Sequence, residues 1–199
     1  MVIFSNMNND LENYITSYFG IINKDELHTI SSLFNPTLLN KGDFFLKINE
    51  QSNELSFIQS GLLRIFTPLE TKDVTQWICT PGEFITELSS FLFNTPSKTN
   101  IQALTSVKLY TITKEDYDKL GHLVPKWHQI EKLFMAKCFT ILEDRIFSFL
   151  SMSAEERYQL FFQEDSQLLN QVPLQYLASM LGMTPETFSR IRKKLLLNS

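Results

Sequence analysis

Between residues 37 and 113 the chain has no histidine, and its three histidines, His28, His122 and His128, stand outside that stretch. A cupin-type metal oxygenase needs two or three histidines and a carboxylate converging from neighbouring strands, so that enzyme class has no ligand set here. Lone histidines in or beside helices also give little support to axial haem ligation. Cysteine is equally scarce. Cys79 and Cys138 stand 59 positions apart, too few and too distant for an iron–sulfur cluster or a zinc site, and they read as reduced thiols. No apolar run approaches the roughly 20 residues that span a bilayer. Met1 to Asp10 lacks the basic start and apolar core of a signal peptide, so a cytoplasmic location is expected. No repeat or low-complexity tract interrupts the chain. The expectation is a non-enzyme with no catalytic residue, metal or cofactor.

What is present concentrates at the C-terminal end. Leu174, Leu177, Ala178 and Leu181 recur at three- and four-residue spacing, the mark of a helix with one apolar face. Gly182 suits the left-handed residue that ends a helix. Thr184 suits an N-cap, and Pro185 suits the first helical position, where no amide donor is needed. Phe188, Ile191 and Leu195 then form an inward stripe, leaving Glu186, Thr187, Ser189, Arg190 and Lys193 outside. The pattern is a helix-turn-helix whose second helix is fitted to a DNA major groove.

Charge supports this. The chain holds 18 Lys+Arg against 22 Asp+Glu, a formal net charge of -4. From Gln171 onward, however, four basic residues face a single acid, Glu186, leaving an acidic body with a basic tip.

Upstream the periodicity changes. Asp10 to Phe19 and Lys24 to Phe34 are helical in pattern, separated at Gly20. Lys41 to Thr113 alternates in short runs (Phe44, Leu46, Ile48; Leu55, Phe57; Leu63, Ile65; Ile101, Ala103; Val107, Leu109), punctuated by turn signals such as Lys41-Gly42-Asp43 and Pro81-Gly82. Many short strands at near-regular spacing predict a small antiparallel barrel or roll. Phe44, Phe45, Phe57, Phe66, Phe84, Phe91 and Phe93 supply its packed core or the lining of an apolar pocket, the core being the expectation. Thr113 caps a new helix.

Pro125 to Leu150 contains no internal glycine or proline and carries two apolar stripes. One runs through Trp127, Ile130, Phe134, Cys138 and Ile141, the other through Phe139, Leu142, Ile146, Phe149 and Leu150. A helix with two stripes is covered on two sides, here by the roll and by the same helix of a second subunit. Ser153-Ala154-Glu155-Glu156 is a capping box that opens a further helix through Gln163. The expected organisation is therefore α+β. Residues 1–124 form N-terminal helices and a β-roll, 125–152 a long dimerisation helix, and 153–199 a helix-turn-helix unit.

In order and spacing, Lys41-Gly42-Asp43, Gly61-Leu62-Leu63-Arg64, Pro81-Gly82-Glu83-Phe84, Ser153 to Tyr158 and the motif from Pro173 to Lys194 resemble the cyclic-AMP receptor protein / fumarate-nitrate reduction regulator (CRP/FNR) family of bacterial transcription factors, over nearly the whole chain. The resemblance implies a jelly-roll of the cyclic-nucleotide-binding kind and a homodimer paired through the long helix. It also implies a palindromic double-stranded DNA site, RNA polymerase as a protein partner, and a small-molecule effector of unidentified chemistry. It further implies base contacts from Glu186 and Arg190, phosphate contacts from Ser189, Arg192, Lys193 and Lys194, and a place for Thr184 and Thr187 among the DNA-binding residues. Pro185 stands where relatives often carry an arginine, so one base contact is expected to be missing, and no trailing wing is expected. The effector segment departs as well. Where nucleotide-binding members have Gly-Glu-Leu-Gly and a later Arg-Ser pair, this chain has Thr86-Glu87-Leu88-Ser89 and Ser97-Lys98, followed by Thr99. Without the glycines and the arginine fork the phosphate cradle is weakened, and loss of cyclic-nucleotide binding is expected. Glu87 is then expected to serve the local chain, for instance by capping a turn. The alternatives are a cyclic-nucleotide-responsive sensor and, remotely, a cupin-type enzyme.

Overall fold

The computed structural model describes residues 11–16 and 23–197. Two four-stranded antiparallel sheets face one another. The first runs β1 (Asn35–Leu39), β8 (Val107–Thr113), β3 (Glu54–Ser60), β6 (Phe84–Ile85), and the second β2 (Phe44–Leu46), β7 (Asn100–Ala103), β4 (Leu63–Pro68), β5 (Asp73–Cys79). Together they form the β-roll expected from the alternating runs, although Ile48 lies beyond the end of β2.

The two central strands of the first sheet are buried on both faces, which is why β8 shows almost no polar alternation. Ile58 and Leu109 point between the sheets, where they meet Leu46, Leu63, Cys79, Ile85 and Ile101. Leu55, Phe57, Tyr110 and Ile112 point the other way and are covered by helices. Those helices are residues 11–16, α1 (Lys24–Ser32), α3 (Lys114–Leu123) and the start of α4 (Trp127–Ser151); α2 (Leu88–Phe93) adds Phe91 to the same layer. Asp10, residues 17–19 and Gly20, parts of the expected first helix and its break, lie outside the described residues. The phenylalanines divide. Phe57, Phe66 and Phe91 are buried, Phe45 and Phe84 half-buried, and Phe44 and Phe93 exposed, so the packed-core expectation fails for the last two.

Helix boundaries follow local chemistry. Asn23 caps α1 through Oδ1 and the Glu26 amide (2.8 Å), and Thr113 caps α3 through the Asp116 amide (3.1 Å). The capping box at Ser153 is complete and opens α5 (Ala154–Asp165), which ends two residues beyond the expected Gln163. A 3-10 turn (Ser166–Asn170) leads to α6 (Leu174–Met180) and α7 (Pro185–Leu197). Phe188 is fully buried and packs with Ile191, Tyr158, Phe161, Leu177 and Ala178. This cluster also contains Leu62 and Ile78, so the outer face of the second sheet is part of the helix-turn-helix core.

The turn between α6 and α7 is a Schellman motif. The Met183 amide donates to Ala178 O (2.9 Å) and the Gly182 amide to Ser179 O (3.0 Å), with Gly182 at φ +66°. A Cβ at Gly182 would stand 2.5 Å from Cε1 of Phe149 on α4. Gly182→Ala is therefore expected to lose at least about 1–2 kcal/mol, because the left-handed backbone is strained and the Phe149 ring must move. Urea denaturation of the variant against wild type measures the loss.

Candidate nucleic-acid interface and effector cavity

The second helix of the motif begins as its sequence suggests. Thr184 Oγ1 accepts from the Thr187 amide (3.2 Å), and Pro185 is the first helical residue. Glu186, Ser189, Arg190 and Lys193 are exposed along one side of α7, and Thr187 and Arg192 are half-exposed. Hydrogen bonds from its own amide and from the Thr184 hydroxyl hold the Glu186 carboxyl below its usual range, so it is an ionised acceptor at the helix start. Among the described residues, the side chains of Arg190 and Lys193 have no hydrogen bond or ion pair. Lys194 differs: its ammonium lies 2.9 and 2.8 Å from the two oxygens of Glu155 on α5. It ties α7 back to its own domain, whereas the sequence placed it beside phosphate.

The motif is docked on the second sheet. Arg64, only 2% exposed, lies on β4 with its guanidinium 4.1 Å from the Phe66 ring and 3.7 Å from the Tyr176 ring of α6. Its Nε donates to Thr75 (2.9 Å) and its Nη1 to Asp73 (3.1 Å). The Thr75 amide donates in turn to Ser179 Oγ (2.9 Å). From α4, Arg145 Nη2 donates to Met180 O (2.9 Å), and from α5, Arg157 Nε donates to Leu181 O (3.0 Å). No sequence pattern around these three arginines assigns them a role. A charged residue inside an apolar run, as Arg64 is in Leu62 to Phe66, is a signal that something specific meets it, but not what.

The expected effector segment is spent on local structure. Glu87 caps the six-residue α2, its Oε2 accepting from the Ser90 amide (2.7 Å). Thr86 Oγ1 is bonded to Ser52 Oγ and Glu54 O (2.9 Å each), and Ser90 Oγ accepts from the Ser52 amide (2.8 Å). Ser97 is buried and turned onto Thr99, donating to its carbonyl (2.8 Å) and accepting from its amide (3.2 Å). Lys98 is exposed, Ser89 half-exposed, and Thr99 Oγ1 is buried with no hydrogen-bond partner. No guanidinium stands in this set. A cyclic phosphate takes several donors converging on one anion, whereas the side chains of Thr86, Glu87 and Ser97 are bonded to neighbouring chain.

Thr86 and Leu88 do line a cavity of about 770 Å³, but its main walls are elsewhere. They are Ile65, Val74 and Trp77 of the second sheet, Phe84, one side of α4 from Phe134 to Leu150, and Ser179, Met180 and Gly182 at the turn of the motif. Cys79 and Cys138 also line it, and burial pushes both thiols up. Glu83 is raised as well. Burial dominates over hydrogen bonds from Thr80 and Trp77, and the charge of Asp165 adds to the shift.

Residues 36–122 match the family model of the cyclic nucleotide-binding domain. No curated protein matches the sequence. Three solved structures are similar in fold. The c-di-GMP responsive global regulator CLP of Xanthomonas campestris has a TM-score of 0.68 at 16% identity, over 88% of this chain and 93% of that one. FixK2 of Bradyrhizobium japonicum has a TM-score of 0.71 at 15% identity, over 83% and 85%. A transcriptional regulator of the CRP/FNR family from Eubacterium rectale has 0.69 at 18%, over 92% and 88%.

The raised Glu83 carries a prediction. A carboxyl whose folded pKa lies above its unfolded one contributes stability that is complete below the unfolded value and is lost as pH rises through the folded value. Glu83→Gln keeps an acceptor for the Thr80 amide and removes the buried charge. Its melting temperature is expected to exceed that of wild type near neutral pH, with the gain vanishing below the ordinary carboxylate range; thermal melts across that interval measure it.

Proposed function

For a chain that carries a cyclic nucleotide-binding domain in residues 36–122 and shares the fold of CRP/FNR transcription regulators, we propose that the function is sequence-specific DNA binding by a homodimer. The observation that carries this is the outward side of α7, where Glu186, Arg190 and Lys193 are exposed on a helix whose other side is locked into the motif. Arg190 reads guanine through O6 and N7, and Glu186 accepts from a cytosine amino group. Thr184, Thr187, Ser189, Arg192 and Lys193 set the register on the phosphates. Lys194 joins them only by leaving Glu155.

Dimerisation falls to α4. Trp127, Ile130 and Phe134 are buried against the roll, whereas Phe139, Leu142, Ile146 and Leu150 are exposed, the last by 82%. A continuous apolar seam of that kind on an isolated subunit marks an interface. A second copy supplies the matching seam by two-fold symmetry and sets two α7 helices on successive faces of a duplex. In this assignment residues 1–124 sense, 125–152 pair and transmit, and 153–199 read DNA. The occupied polar groups around Glu87 and Ser97 support loss of cyclic-nucleotide binding. RNA polymerase is the further partner that a transcription regulator of this kind engages.

Three outcomes follow. Wild type sediments as a dimer, and Leu142→Glu with Ile146→Glu converts it to a folded monomer; a wild-type monomer at micromolar concentration contradicts the seam. On a selected duplex, Arg190→Ala costs about 1–3 kcal/mol and relaxes base preference, while Lys193→Ala weakens specific and scrambled duplexes alike and lowers the salt dependence. Equal loss on both duplexes for Arg190→Ala removes its assignment to a base. Calorimetric titration with cyclic AMP or cyclic GMP is expected to give no heat of binding.

A further inference from the structure

We propose that the cavity between β5, α4 and the turn of the helix-turn-helix binds an apolar monocarboxylate, with Arg145 as the partner of its charge. The cavity, about 770 Å³, is within the range that takes a small molecule. Its lining is mostly apolar, broken by Thr75, Gln76, Glu83, Thr86, Ser179 and Arg145. Arg145 is the one cationic side chain in that lining.

Its guanidinium is held over two ring faces, 4.8 Å from Trp77 and 5.4 Å from Phe149, and gives one hydrogen bond, to Met180 O. Among the described residues no carboxylate lies within ion-pair distance of it. Arg64, by contrast, is paired with Asp73. A guanidinium offers five N–H donors in a planar fork, of which the bond to Met180 O uses one. Burial pulls its pKa below the ordinary value with no compensating charge, the state that a bound anion relieves. Glu83, the other ionisable wall residue besides the two thiols, forms no ion pair with Arg145 among the described residues, and burial raises its pKa. One cation in an apolar chamber matches one carboxylate on an apolar body.

The same guanidinium holds the carbonyl at the end of α6. An occupant that engages Arg145 therefore acts on the group that seats the DNA-reading motif. This coupling rests on the regulator reading, because Leu142, Ile146 and Leu150 form both a cavity wall and the seam that a second copy would cover.

The test uses the full chain without DNA. Decanoate and 1-decanol, equal in length and differing in charge, are titrated while tryptophan emission is followed. Trp127 does not line the cavity, and Trp127→Phe leaves Trp77 as the sole tryptophan reporter. Decanoate is expected to change the Trp77 signal saturably and to bind at least about tenfold more tightly than decanol, the ratio of one charge-assisted hydrogen bond. Arg145→Lys keeps part of that ratio, and Arg145→Met brings it to about one by removing the gain for decanoate only. Absence of a saturable response to decanoate overturns the proposal, as does equal affinity for the two compounds in the wild-type cavity, a comparison that needs no Arg145 variant to fold. A chain that selects specific duplexes yet ignores decanoate loses this proposal alone. A chain that binds decanoate through Arg145 and no duplex loses only the regulator reading.

Discussion

The last carbonyls of α6 have no partner inside their own helix, and cations from two other elements take them. Arg145 reaches Met180 O from α4, and Arg157 reaches Leu181 O from α5. The carbonyl end of a helix dipole favours such cations, and each bond satisfies an acceptor that would otherwise face apolar surroundings. Gly182 completes the arrangement by letting the chain turn against the Phe149 ring. The stacking of Tyr176 on Arg64, the bond between Thr75 and Ser179, and the packing of Leu62 and Ile78 in the cluster around Phe188 complete the seating of the motif on the roll.

That constraint links the roll to the helix-turn-helix. The roll packs around its own core, and the helix-turn-helix around Phe188. Between them stand one long helix with an apolar seam and a cavity whose single cation also serves the turn. Arg145 lines the cavity and donates to Met180 O, which couples the cavity wall to the end of α6 through one side chain. Coupling of this kind depends on a discrete contact with two arrangements rather than on gradual deformation.

Much of this was legible in the sequence, for reasons that are local. Ser153 and Glu156 announce their capping box because both partners lie within one helical turn. Gly182, Thr184 and Pro185 mark the turn and restart of the motif because each type is chosen by backbone geometry at that position. The two stripes of α4 followed from periodicity. What was not legible depends on chain segments far apart. Arg64 and Tyr176 are 112 positions apart, and no pattern in either segment names the other. Arg145 looks like an ordinary charge on a helix until Trp77 and Met180 are placed around it. Lys194 reads as one more phosphate contact because the sequence does not show that Glu155 lies beside it. The effector segment was half legible: its departures in residue type were visible, but its hydrogen bonds to the Glu50–Ser52 turn were not.

In the proposed function, two copies of this chain read a symmetric DNA sequence through α7. Selection of bound duplexes from a random library by the purified, ligand-free protein tests it most directly. The account predicts enrichment of a palindrome whose half-sites are centred about one helical turn apart. Failure of a folded dimer to enrich any sequence, at low salt and with decanoate present or absent, would contradict it.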